Sequence, residues 1–121
     1  MNSPPVLPAI TAYPADPSFV GTRPAVLVLP GGGYREHSGS AGEGCARWLA
    51  GLGCHAFTLR YRLLPQLFPT ALVDARTGLD YVRHGGHGLQ VDPSRVGVIG
   101  FSAGGHLAGL LTAGTVLSDE T

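Results

Sequence analysis

Lysine is absent from this 121-residue chain, and all eight basic residues are arginine. Eight acidic residues balance them, and charged residues make up only 13% of the whole. No basic stripe is available of the kind that phosphate backbones or anionic lipid surfaces require, so neither nucleic acid nor a membrane is an expected partner. Cysteine is nearly absent too: Cys45 and Cys54 are the two. They are too few for a disulfide framework and too far apart for a zinc-binding pair, and they read as buried small apolar residues. Neither metal nor cofactor is expected. No apolar run approaches the roughly 18 residues of a membrane span. The first eighteen residues are rich in proline and lack the basic start and apolar stretch of a signal peptide. The expectation is a cytoplasmic protein.

Glycine and proline are abundant, with 19 and 10 positions. The glycine share is roughly twice the 7% average. Such a content would suggest disorder in a polar chain, but 44% of the residues are apolar. That balance belongs to a chain that buries a core. One domain is expected over 1–121: a Pro-rich segment with a first strand (1–18), a core (25–113) and a polar tail (114–121).

Strand-like and helix-like segments alternate. Leu7 to Tyr13 reads as a weak first strand, stopped by Pro14. Ala25 to Leu29 (AVLVL) is an aliphatic run between Pro24 and Pro30, as a strand covered on both faces would be. Ser40 and Glu43 have capping-box spacing for a helix whose apolar face is Cys45, Trp48, Leu49 and Leu52, with Gly53 in the C′ position. Cys54 to Tyr61 follows as a strand. A second helix starts near Pro69, with Leu72, Ala75, Leu79 and Val82 inward, Asp74, Arg76, Asp80 and Arg83 in water, and Gly85 and Gly86 ending it. After a loop holding Asp92, Pro93 and Ser94, Arg95 to Gly100 forms a short buried strand. A third helix is expected from just past Ser102 to about Ala113. This alternation predicts a three-layer α/β fold with a mostly parallel sheet and right-handed crossovers.

Two glycine motifs follow the two buried strands. Gly100-Phe101-Ser102-Ala103-Gly104 is G-x-S-x-G between a strand and a helix, the setting that lifts a serine onto a tight turn at the carboxyl edge of a sheet. Gly31-Gly32-Gly33 follows the earlier strand and leaves amide N–H groups free to face a cavity. Together they suit acyl transfer: Ser102 as nucleophile, with the N–H groups of Gly32, Gly33 and Ala103 as the oxyanion hole. Phosphate binding is disfavoured, because neither G-x-x-x-x-G-K nor G-x-G-x-x-G occurs. Tyr34 and His37, beyond the glycine run, are candidates for the substrate pocket.

With PGGGY at Pro30, RYRLLP at Arg60 and DPSRVGVIGFSAGGHLA at Asp92, the chain resembles the esterase branch of the α/β-hydrolases. It is most similar there to the acetyl-xylan and feruloyl esterase-like (BD-FAE-like) enzymes, and near the hormone-sensitive-lipase group. The latter usually carries His where Pro30 stands, which favours the acetyl-ester branch. The resemblance implies a serine carboxylesterase acting without a cofactor on small acyl esters, including acylated carbohydrate.

Triad order in this fold is Ser, then Asp or Glu, then His. Nineteen residues follow Ser102, with Asp119 and Glu120 in the polar tail and no His after His106. His106 lies one helical turn above Ser102, where the ring points along the helix. His55 reads as structural, and His84 and His87 as surface residues at a helix end. The expectation is therefore an incomplete α/β-hydrolase fold, its C-terminal strands and both triad partners outside this sequence. The other reading is a catalytically inactive remnant that needs further sequence or a partner chain and is prone to self-association along its exposed edge.

Overall fold

A strand that is hydrophobic at every position must be covered on both faces, and the aliphatic run AVLVL lies within a strand in the middle of the sheet. The computed structural model describes residues 9–30, 42–60, 70–101 and 108–109. Its elements are β1 (Ala9–Tyr13), β2 (Arg23–Leu29), α1 (Glu43–Gly51), β3 (His55–Arg60), α2 (Thr70–His84) and β4 (Val91–Gly100). The strand order is β1-β3-β2-β4. β2 runs parallel to β3 and β4, whereas β1 lies antiparallel to β3, Tyr13 opposite Ala56.

Side-chain alternation splits the core into two layers. Leu27 and Leu29 of β2 and Phe57 and Leu59 of β3 meet Leu72, Ala75 and Val82 of α2. Val28 and Ala56, one residue out of phase, meet Ala46 and Leu49 of α1 on the other face. Each large side chain buried this way contributes about 1.5–3 kcal/mol. The result is the expected α/β sandwich of helix, sheet and helix.

Four local expectations need correction. The first concerns the start of α1. Its N-cap is Gly42, at φ 87°, with no side-chain cap; Glu43 is the first helical residue and pairs with Arg47 rather than closing a capping box. A Cβ on Gly42 would stand 2.8 Å from Val28 Cγ1, so the chain can pass this close to β2 only without a side chain. The far end of α1 is as expected. Gly53, at φ 94°, donates to the Ala50 carbonyl and Cys54 N to that of Leu49, which is a Schellman closure.

The second concerns the buried face of α1, which holds Ala46 and Leu49, with Trp48 63% and Leu52 54% exposed. With about 100° between successive residues, a stripe centred between Ala46 and Leu49 leaves Trp48 on the far side. In a helix of two and a half turns, three large apolar residues do not fix the rotation. Cys45 and Cys54 are only partly buried, and both border this layer.

The third is Asp74, placed in water by sequence pattern but 1% exposed in the structure. The buried arc of α2 includes Gly78, whose missing side chain lets Leu59 come close: a Cβ there would lie 3.3 Å from Leu59 Cδ2. The helix seats on that glycine, and Asp74, one turn earlier, is carried under with it. Leu79 is correspondingly only partly buried.

The fourth is β4, which begins at Val91 and is half-exposed. Val91 pairs with Arg23 and Val96 with Ala25, so residues 92–95 stand opposite Pro24 alone. Proline offers no N–H to a ladder. The excess residues close on themselves: Asp92 accepts from Ser94 N at 3.0 Å, Ser94 Oγ at 2.7 Å and Arg95 Nε at 2.9 Å. Those donors hold the Asp92 carboxyl at about 2.

Candidate functional site

Parallel strands that are neighbours in a sheet deliver their following loops to the same edge. β2 and β4 are such neighbours, and their ladder continues to the last residue, with Leu29 opposite Gly100. One further bond closes it, Phe101 N donating to the Leu29 carbonyl at 3.1 Å. Pro30 is fully buried at the end of β2, and Phe101 is 46% exposed at the end of β4. The next residues along the chain are Gly31 on one side and Ser102 on the other. Paired strands lie about 4.8 Å apart, so the described starts of the two motifs, Pro30 and Gly100–Phe101, stand side by side at the carboxyl edge.

Ser102, Ala103, Gly32, Gly33, Tyr34 and His37 themselves lie outside the described residues, as do Tyr61, Arg62, His106, Asp119 and Glu120. Their flanks are described. Ala108 and Gly109 are helical, and Ala108 packs against the α2-side core, in keeping with strand, G-x-S-x-G, helix. Among the described residues, a Cβ on Gly109 would meet nothing within 4 Å.

The described histidines all sit at the opposite, amino edge. His55, at the start of β3, is buried; its Nδ1 accepts from Ala15 N at 2.9 Å, which agrees with a structural role. His87 departs from the surface expectation. Its Nδ1 accepts from Leu89 N at 3.0 Å and its Nε2 meets the Val82 carbonyl at 3.0 Å, while the ring packs against Phe57 and Tyr81. It does answer the C-terminus of α2, by hydrogen bonding a last-turn carbonyl from a half-buried aromatic cluster. His84 and Asp80 are exposed, as expected. Burial pushes the Cys45 thiol up, which keeps it protonated and a poor nucleophile.

Among the described residues no group of His, Cys, Asp and Glu could hold a metal ion. An open groove of about 660 Å³, lined by Tyr13, Asp16, Arg47 and Gly51 among others, lies where β1 meets the C-terminal end of α1. It is remote from the carboxyl edge. Besides the aromatic setting of His87, two features escaped sequence reasoning, the buried Asp74 and the backbone bond of His55. The glycine at 78 was the available signal for the first; the second had none, since its partner is a main-chain N–H forty residues away.

With the geometry in hand, relatives can be compared. The BD-FAE family profile matches residues 15–120. The chain belongs to the BD-FAE family. It is 34% identical over 89 residues to an acetylxylan esterase of Xylanibacter ruminicola, covering 73% of this chain and 18% of that protein. To an ethyl acetate hydrolase of Pseudomonas putida it is 36% identical over 98 residues, covering 79% and 30%. The crystal structure of an acetyl ester-xyloside bifunctional hydrolase from Caldicellulosiruptor lactoaceticus superposes with a TM-score of 0.78 at 41% identity, over 88% of this chain and 39% of that one. A lipase/esterase from Lactobacillus plantarum gives 0.74 at 31% identity, over 84% and 43%. These neighbours agree with an α/β-hydrolase fold. The chain spans less than a third of the curated relatives' length and less than half of the solved chains.

Proposed function

We propose that this BD-FAE domain is the nucleophile-bearing part of a serine carboxylesterase for small acyl esters, acetyl esters of carbohydrate among them. The observation that carries the reading is the closed ladder between β2 and β4, with Phe101 N on the Leu29 carbonyl, which supports a common origin for the Gly31–Gly33 and Ser102 loops. In this reading Ser102 Oγ attacks the ester carbonyl carbon. The carbonyl oxygen becomes an oxyanion, met by the N–H groups of Gly32, Gly33 and Ala103, each worth about 3–4 kcal/mol in such a role. Collapse expels the alcohol and leaves acyl-Ser102, which water hydrolyses to acid and free serine. Tyr34 and His37 line the pocket. The base and its orienting acid come from further sequence or from a partner chain. The esterase relatives support the ester-hydrolase class.

A specific observation favours a second reading for the 121 residues alone, namely that they do not turn over. His55, His84 and His87 all stand at the amino end of the strands, and the first and last of these spend Nδ1 on main-chain N–H groups. The test uses full-length protein and its Ser102→Ala variant on a short-chain aryl acetate. The variant should lose about 10⁴–10⁶ in kcat. The isolated 121 residues should stay near that floor. Undiminished turnover in Ser102→Ala would refute the assignment.

A further inference from the structure

We propose that His55 is an acid-released fastener, which in its neutral form pins the segment after β1 to the sheet and on protonation lets that segment go. The inference is independent of the esterase reading. His55 is 8% exposed and ties β3 to the segment after β1. Its Nδ1 accepts from Ala15 N at 2.9 Å, and the ring lies near the Gln90 carbonyl, which takes Arg23 N at 2.9 Å. A nitrogen that accepts from a main-chain N–H carries no proton of its own, so the neutral ring has its proton on Nε2. The only lone pair open to a further proton is on Nδ1. Protonation there sets an N–H against the Ala15 N–H, and the bond is lost.

The surroundings do not welcome an imidazolium. Arg23 of β2 faces the ring, with its guanidinium on the Gly53 carbonyl and over Phe19. His87, beyond the end of α2, faces it too, next to Tyr81. The carboxylates at this edge are engaged elsewhere: Asp16, on the pinned segment, accepts from Ser18, and Asp92 of β4 accepts from Ser94 and Arg95. Towards α1 the segment donates from Asp16 N to the Ala50 carbonyl and shares a groove with Arg47 and Gly51. Burial first, then His87 and Arg23, lower the proton affinity of His55, while the Gln90 carbonyl works the other way.

A lowered folded value means the unfolded chain binds the extra proton. The stabilisation is present above the unfolded value of 6.5 and is lost as pH falls below it, until the folded value is reached. Residues 15–19 are what is released, with Asp16 N on the Ala50 carbonyl and Phe19 under the Arg23 guanidinium next to give way.

The test is denaturant unfolding of the full chain between pH 8 and 5, for the wild type and for His55→Asn, whose amide oxygen can replace Nδ1 as acceptor without titrating. The wild-type folding constant should fall by up to tenfold per pH unit just below 6.5, the change set by one proton. His55→Asn should lose that part of the slope. Equal slopes in the two proteins would overturn the proposal. If the variant does not fold, amide exchange of the wild type decides. Corrected for intrinsic rate, protection at Ala15 N should drop with acid while that at Leu27 N in β2 persists. Protection of Ala15 undiminished to pH 5 would overturn the proposal.

Discussion

The two ends of the parallel strands are built on different principles. At the amino edge the chain is tied at every crossing: Ala15 to His55, Arg23 to Gly53, His87 to Val82 and Leu89, and α1 closed by a Schellman turn. At the carboxyl edge β2 and β4 keep their ladder to the last residue, and the glycine-rich motifs follow in the sequence. At the amino edge polar groups are spent on holding the chain together, and at the carboxyl edge the register of β2 and β4 brings Pro30 and Phe101 to the same side of the sheet.

The contrast can be broken most sharply at Ser102. On the proposed function, replacing it with Ala in the full-length protein should remove nearly all turnover of an aryl acetate and leave the melting temperature in place. A matched loss of stability would show that the two edges are not separable. Next comes the core between them. Leu27→Ala removes a fully buried side chain of β2 and should cost about 2–5 kcal/mol in denaturant unfolding.

Smaller, but confined to the amino edge, is Gly53→Ala. It places a Cβ at φ 94° and 2.7 Å from the Arg23 guanidinium, so a loss of about 1–3 kcal/mol is expected. Equal stability of the variant would show that the Schellman closure does not tie this edge. Smallest is Trp48→Ser. Despite its size, Trp48 is 63% exposed, and stability should change by no more than about 0.5 kcal/mol. A loss above 2 kcal/mol would restore the core position that the sequence pattern suggested.

What was legible in the sequence followed from patterns that only one arrangement satisfies. AVLVL can be covered only as a central strand, and Leu27 and Val28 face opposite layers as period two requires. Gly53 at the end of α1 is the left-handed residue its position implied. Hidden features were those decided by contact rather than pattern. Trp48 and Leu49 are equally apolar, and it is the approach to Val28 and Ala56 that selects Leu49. Asp74 is buried because a glycine one turn later seats the helix, which binary patterning does not weigh. Residues 92–95 leave the ladder because Pro24, on another strand, cannot donate. The candidate site is written in the sequence as two motifs, Ser102 and the glycine run, which lie outside the described residues. The fold adds the register of the strands that lead to them, with Leu29 opposite Gly100.

The most direct test is the structure of the full-length protein inhibited by a small alkyl phosphonate. The adduct should be on Ser102 Oγ, with the phosphonyl oxygen about 2.7–3.1 Å from the N–H groups of Ala103 and of Gly32 or Gly33. A phosphonate on another residue, or a Ser102 adduct whose oxygen lies far from the glycine run, would contradict the shared-edge account.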